Sequence, residues 1–144
     1  MRRTVLCCLA AGILLAWGCS NAGPTVTGTV RVDGEPLEKG SITFVPVDDK
    51  GQVASGRGPD AGSPIKGGKY QVARDLTPGK YRVEIQGTRK GTKKVPDPVI
   101  ADRLVYEEVA VVPPEYNKNS NLIREVRAGP NPIDFDLKGI KKGQ

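Results

Sequence analysis

Two alternating runs joined by a tight turn set the terms for this chain. They occupy Thr25–Pro46. In the first, Val26, Val30 and Val32 share one parity, with Gly28 between them. In the second, Ile42, Phe44 and Pro46 share one parity. A repeat of two matches a strand with one buried face, and β-branched and aromatic side chains suit such a pleated surface. Asp33-Gly34 lies between the runs and suits a tight turn, since Gly accepts positive φ and Asp bonds its own backbone. An opening unit of this kind leaves apolar faces that only further strands can cover.

Further strands follow. Gly68–Val72 reads as a turn leading into a strand, after turn signals at Asp60–Pro64 and Lys66–Gly68. Val53–Arg57 reads as a short edge strand. Pro78-Gly79 fits the centre of a type II turn, and Tyr81, Val83 and Ile85 then share a face opposite Lys80, Arg82 and Glu84. Leu104–Val112 is strand in part, ending before Pro113-Pro114. Leu122–Arg127 and Ile133–Leu137 read as a closing hairpin, turned at Gly129–Pro132, with Ile133, Phe135 and Leu137 facing in. The chain has 18 Gly and 12 Pro and no long helical pattern after its first residues. The expected fold is all-β, a sandwich spanning 25–138. With 5% aromatic residues, its core must rest on Val, Ile and Leu.

The N-terminus is of another kind. Arg2-Arg3 precede an apolar run, Val5–Trp17, too short for a comfortable membrane span. Gly18-Cys19 then resembles the bacterial lipoprotein signal, in which a cysteine receives diacylglycerol and becomes the mature N-terminus; Trp17 and Ala16 depart from the usual pattern. That resemblance implies a signal helix over 1–18, a lipidated Cys19, a short tether over 19–24 and anchorage to a membrane by two or three acyl chains. Ser20, where inner-membrane lipoproteins often carry Asp, points to the outer membrane, on its periplasmic or surface face. An ordinary secretory leader cut near Ala16 or Gly18 and an uncleaved anchor helix are the alternatives. The cysteines are Cys7, Cys8 and Cys19, so the expected domain has no disulfide.

Absences narrow the chemistry. The chain has no His, which excludes Ser-His-Asp and Cys-His catalysis, His-ligated metals and a His pH switch. Asp48-Asp49 lacks the alternating oxygen ligands of a calcium loop and reads as a solvated tip. No cofactor or metal is expected. Loss of residues 1–18 would lower the formal charge from +6 to +4, and aromatics are not interleaved with the basic residues, so nucleic acid is not an expected partner. Thr88–Arg103 holds Arg89, Lys90, Lys93, Lys94, Pro96 and Pro98, and reads as a long basic loop. Its functional reading is an anion- or partner-binding patch, and its bland reading a solvated insertion. Residues 139–144 form a basic tail.

A second resemblance covers nearly the whole mature chain, from Val26 to Leu137. Gly28-Thr29-Val30, Asp33–Leu37 and Gly40–Pro46 resemble the opening of carboxypeptidase-regulatory-like, transthyretin-like domains found in short bacterial lipoproteins. Pro78–Val83, Pro113–Asn117 and Ile133–Leu137 are similar to their later signatures. The resemblance implies a Greek-key sandwich of about seven strands. The matching residues are turn and core positions and imply no site. Related hydrolases depend on His, so their activity does not carry over.

Three functions follow as expectations. The first is a non-enzymatic, lipid-anchored envelope domain that binds or spaces other components, with Tyr106 and Tyr116 as candidates for stacking on an envelope polysaccharide. The second is an assembly partner of an envelope protein, using a sheet edge or a loop. The third, least favoured, is a glycan hydrolase pairing Asp134 or Asp136 with Glu107, Glu108 or Glu115. Oligomeric state is not legible.

Overall fold

The computed structural model describes residues 23–140, apart from Ser55 and Arg57. The signal segment, Cys19, most of the tether and residues 141–144 of the tail lie outside the described residues. The strands are β1 (Thr25–Val32), β2 (Glu35–Pro36), β3 (Lys39–Pro46), β4 (Ala61–Lys66), β5 (Lys69–Val72), β6 (Gly79–Pro96), β7 (Leu104–Ala110), β8 (Ile123–Val126), β9 (Pro130–Pro132) and β10 (Phe135–Leu137). They form one largely antiparallel sheet in the order β10-β1-β5-β4-β3-β6-β7, with β2 and β9 also on β1 and β8 also on β6. Among the described residues the helical piece is a single 3-10 turn, Pro114–Tyr116.

Alternation places the core as expected. Val26, Val30 and Val32 of β1, Ile42 and Phe44 of β3, and Tyr81, Val83 and Ile85 of β6 are all buried. Phe44 is the hub, with ring centroids 6.4 Å from Tyr70 and 6.1 Å from Tyr81. Tyr70 in turn lies 6.2 Å from Phe135. Each such buried ring or branched side chain contributes about 1.5–3 kcal/mol. Asp33-Gly34 and Gly67-Gly68 each hold two successive residues at positive φ, 53° and 83°, then 57° and 75°. Such turns match the right-handed twist of the strands they join.

Four expectations are corrected. Gly79 is extended (φ 159°) and opens β6, so Pro78-Gly79 is not a type II turn. The Tyr81 hydroxyl closes that corner instead, accepting from Thr77 N–H (3.0 Å) and donating to Thr77 C=O (2.9 Å). Of the short strand expected at Val53–Arg57, the described residues form one bridge, Val53 to Val47, and Ser55 and Arg57 lie outside the described residues. The closing hairpin does not form: β8 pairs antiparallel with β6, whereas β10 pairs parallel with β1. The turn between them is held by Asn131, whose amide donates to the carbonyls of Arg127 and Gly129 and accepts from Arg127 N–H. That turn carries the chain across to β1, where β9 joins in parallel register.

The fourth correction concerns the basic segment, which is strand through Pro96. Beyond Thr88, β6 has no partner but β7, because β3 ends at the pair Lys39–Thr88. Residues 89–96 and 104–109 therefore leave the sheet as a two-stranded arm, reaching roughly 20 Å at about 3.3 Å per residue. Lysines and prolines suggested a loop; the ladder forms because lysine stems tolerate an exposed strand and Pro96 sits at its very end.

The domain has two poles. At one, Thr25 N–H donates to Gly129 C=O and Val126 pairs with Gly79, so the starts of β1 and β6 lie together. At the other, Leu37 N–H donates to Val30 C=O, Leu37 packs on Gly87, and Ile140 N–H donates to Val111 C=O beside Gly87. The arm leaves from this second pole, opposite the end where Gly23 and Pro24 enter β1.

Candidate functional site

Neither Thr88–Pro96 nor Leu104–Ala110 alternates cleanly in sequence, and it is the register of the two strands that settles which side chains meet. Thr88, Lys90, Lys94 and Pro96 lie across from Ala110, Glu108, Tyr106 and Leu104. Arg89 and Val95 lie across from Val109 and Val105 on the other face. A bulge between Lys90 and Lys94 lets three residues of β6 oppose Glu107 alone, with Lys93 inside it. The four basic residues read as one patch are thus divided: Lys90 and Lys94 together, Arg89 on the opposite face, Lys93 in the bulge.

On the first face, Lys90 Nζ lies 4.0 Å from the centroid of Tyr106 and Lys94 Nζ 5.6 Å. A cation over an aromatic ring at an exposed site contributes about 0.5–1 kcal/mol. This stacking braces the arm. Glu108 accepts from Lys39 Nζ and from Thr88 Oγ1 (3.1 Å). The Lys39 hydrogen bond, then that of Thr88, holds its carboxyl below the usual range. An open cleft of about 410 Å³ runs along one face of the arm, from Lys39 and Thr88 at its root to Leu104 and Arg103 at its tip, with Lys90, Tyr106 and Glu108 between. Its arrangement can hold a mixed ligand, with cations, the carboxylates of Glu38 and Glu108 and an aromatic ring within reach.

The tip is fastened by Asp97. Its carboxylate accepts from Val99 N–H (2.8 Å) and Ile100 N–H (3.1 Å), and pairs with Arg103 (3.4 Å). Apolar side chains nevertheless face solvent along the arm: Val99 is 88% exposed, Leu104 62%, Val109 44% and Tyr106 42%. None of residues 89–109 is in the core.

The other candidates lie apart. Tyr116, on the 3-10 turn, packs against the core and is only part-exposed, so it does not form a platform with Tyr106. Asp134 accepts from Thr29 N–H (2.7 Å) and Thr29 Oγ1 (2.8 Å), which holds its carboxyl below the usual range. A general acid needs the opposite shift. Asp136 lies across from Arg31. Neither Asp lines the arm's cleft, which takes in Glu38 and Glu108. Glu115 sits on the 3-10 turn. Asp48 caps its own loop, accepting from Lys50 and Gln52 N–H, and Asp49 pairs with Lys80. Among the described residues no cluster of three metal-ligating side chains occurs.

A second hollow, about 530 Å³ and open, lies over Gly28, Ser63, Lys69 and Tyr70. Beside it Tyr70 donates to Ile133 C=O at 2.7 Å, and burial above all, then Asp134, raises its phenol far above the ordinary range. The hydroxyl stays protonated and serves the fold. Sequence reasoning missed Lys39 and Arg103 as cleft residues. Lys39 could not be found by spacing, since it reaches Glu108 only because β3 ends beside the arm's root. No family model, curated protein or solved structure matches the chain.

Proposed function

We propose that this chain is a non-enzymatic cell-envelope domain, anchored to a membrane through a lipidated Cys19, that binds other envelope components through the β6–β7 arm. The observation that carries this reading is the position of the arm. It leaves the pole opposite the entry of β1, so a domain tethered by its N-terminus holds the arm away from the anchoring membrane. Strand lengths from Thr25 to Thr29 and along the arm put the tip roughly 30–35 Å beyond the start of β1. An arm aimed this way meets a protein or polymer rather than the lipid headgroups beneath the anchor. The solvent-facing Leu104 and Tyr106, on one face of the arm, support a contact role, since apolar side chains that cluster on a surface mark interaction sites.

The same proposal takes the fold to be a Greek-key sandwich of the carboxypeptidase-regulatory-like, transthyretin-like type. What supports it is the join between the sheet's halves. β4 and β5 share one ladder pair, Lys66–Lys69, and the aromatic side chains of β3 and β5 then meet across the core.

The test is cross-linking in intact cells, followed by capture of a C-terminally tagged chain and mass spectrometry. Cross-links from Lys90, Lys93 or Lys94 to one envelope component, altered by Cys19→Ala, are the expected result. Cross-links confined to the opposite pole, or unchanged by Cys19→Ala, would refute the arrangement.

A further inference from the structure

Among the described residues every sheet edge but one is short or blunted. A bare strand edge is a template for pairing, and proteins guard it with shortness, proline, lysine or a bulge. β2 has 2 residues, β10 has 3, and β8 has 4. β9 is 3 residues long and carries Pro130 and Pro132. β4 bears Pro64 past its one pair with β5, and β5 itself runs on only from Tyr70 to Val72 past that pair. The arm's β6 edge holds a bulge, three lysines and Pro96. β7 differs: it runs 7 residues, Leu104 to Ala110, without proline, lysine, glycine or bulge. Among the described residues its only ladder partner is β6. Two-stranded ribbons are marginal in water alone, and an added strand completes them.

We infer that the outer edge of β7 accepts an extended strand from another protein, one that alternates apolar residues with Lys or Arg. This rests on the reading of the arm as the contact element. Charge chooses the occupant. Glu107 sits at the centre of the edge, flanked by Val105, Tyr106 and Val109, while its neighbour Glu108 is already held by Lys39 and Thr88 on the β3 side. Glu107 lies over Gly91 and makes no ion pair. Opposite charges facing across paired strands stabilise and like charges do the reverse. A second copy of β7 is disfavoured on the same ground. Antiparallel self-pairing in the central registers sets Glu107 or Glu108 against its equivalent or its neighbour. Glu107 thus turns an edge open to any strand into one that selects a strand presenting Lys or Arg on its face.

The test uses the full chain in detergent and a capped peptide matched to the 7 residues of β7, alternating valine with lysine. Backbone amide exchange over 104–110 is read with and without peptide. The expected result is slowing of at least about tenfold on β7 amides alone. A valine–glutamate peptide should give none, and Glu107→Lys should shift the preference toward it. N-methylation of alternate peptide amides should abolish the effect in one frame and spare it in the other, because only one set of amides faces the edge. Equal slowing by both peptides, indifference to N-methylation, or slowing on β8 or β10 would overturn the proposal. Cellular cross-links from the arm with no slowing on β7 would refute the edge and leave the arm's role standing. Slowing on β7 without cellular cross-links would support the edge and remove the cellular role.

Discussion

Excising the arm should leave the domain folded and no less stable. Thr88 and Ala110 are already a cross-strand pair, so residues 89–109 can be replaced by Asn-Gly, which forms the two-residue turn natural to that geometry. The losses are small. None of the excised residues belongs to the core. The Lys39–Glu108 pair is exposed at both ends, 71% and 51%, and pairs of that kind contribute about 0–1 kcal/mol. Shortening a connection of about twenty residues to two removes roughly 2 kcal/mol of closure entropy, an upper figure because the arm is itself paired. The net expectation is a change between about zero and +2 kcal/mol, read as a shift in urea midpoint with the slope lowered in proportion to the area removed. A measurable loss of stability would refute the reasoning, since it would mean that the arm supports the core. The same variant should lose every cellular cross-link assigned to the arm.

Other positions give sharper losses. A Cβ on Gly28 would land inside the Ile133 carbonyl, so Gly28→Ala must displace the backbone that receives Tyr70 and pairs with Thr27; a loss of about 3–4 kcal/mol in urea unfolding is expected from those bonds. Gly23→Ala, whose Cβ would meet nothing within 4 Å, is the control and should stay within about 0.5 kcal/mol. Tyr70→Phe leaves the Ile133 carbonyl without its donor and should cost about 1–2 kcal/mol by the same measurement. Asp134 and Glu108 have lowered folded values, so their contribution is present above the ordinary carboxyl range and lost as the pH falls through the folded values. Stability should therefore decline below about pH 4, and Asp134→Asn should flatten that decline.

How far the sequence carries can be judged residue by residue. The inward faces of β1, β3 and β6 were legible because alternation is imposed by the pleat itself. The turns at Asp33-Gly34 and Gly67-Gly68 were legible because few residues accept positive φ. The basic segment was misread as a loop because composition reports solvation, and an exposed ribbon is as solvated as a loop. The closing hairpin failed for a related reason: alternation says that Phe135 and Leu137 face inward, and nothing about which edge they join.

By itself, then, the chain determined its class, its core residues and two of its turns, all consequences of local backbone geometry and side-chain type. The tertiary structure decided what joins what. Asp134 meets Thr29 across 105 residues of chain, and Lys39 meets Glu108 because β3 ends where the arm begins. It also decided that, among the described residues, β7 keeps a bare edge at the pole opposite the start of β1. Such pairings are selected by which arrangement buries the most apolar surface at once, a property of the whole chain that no window of sequence contains.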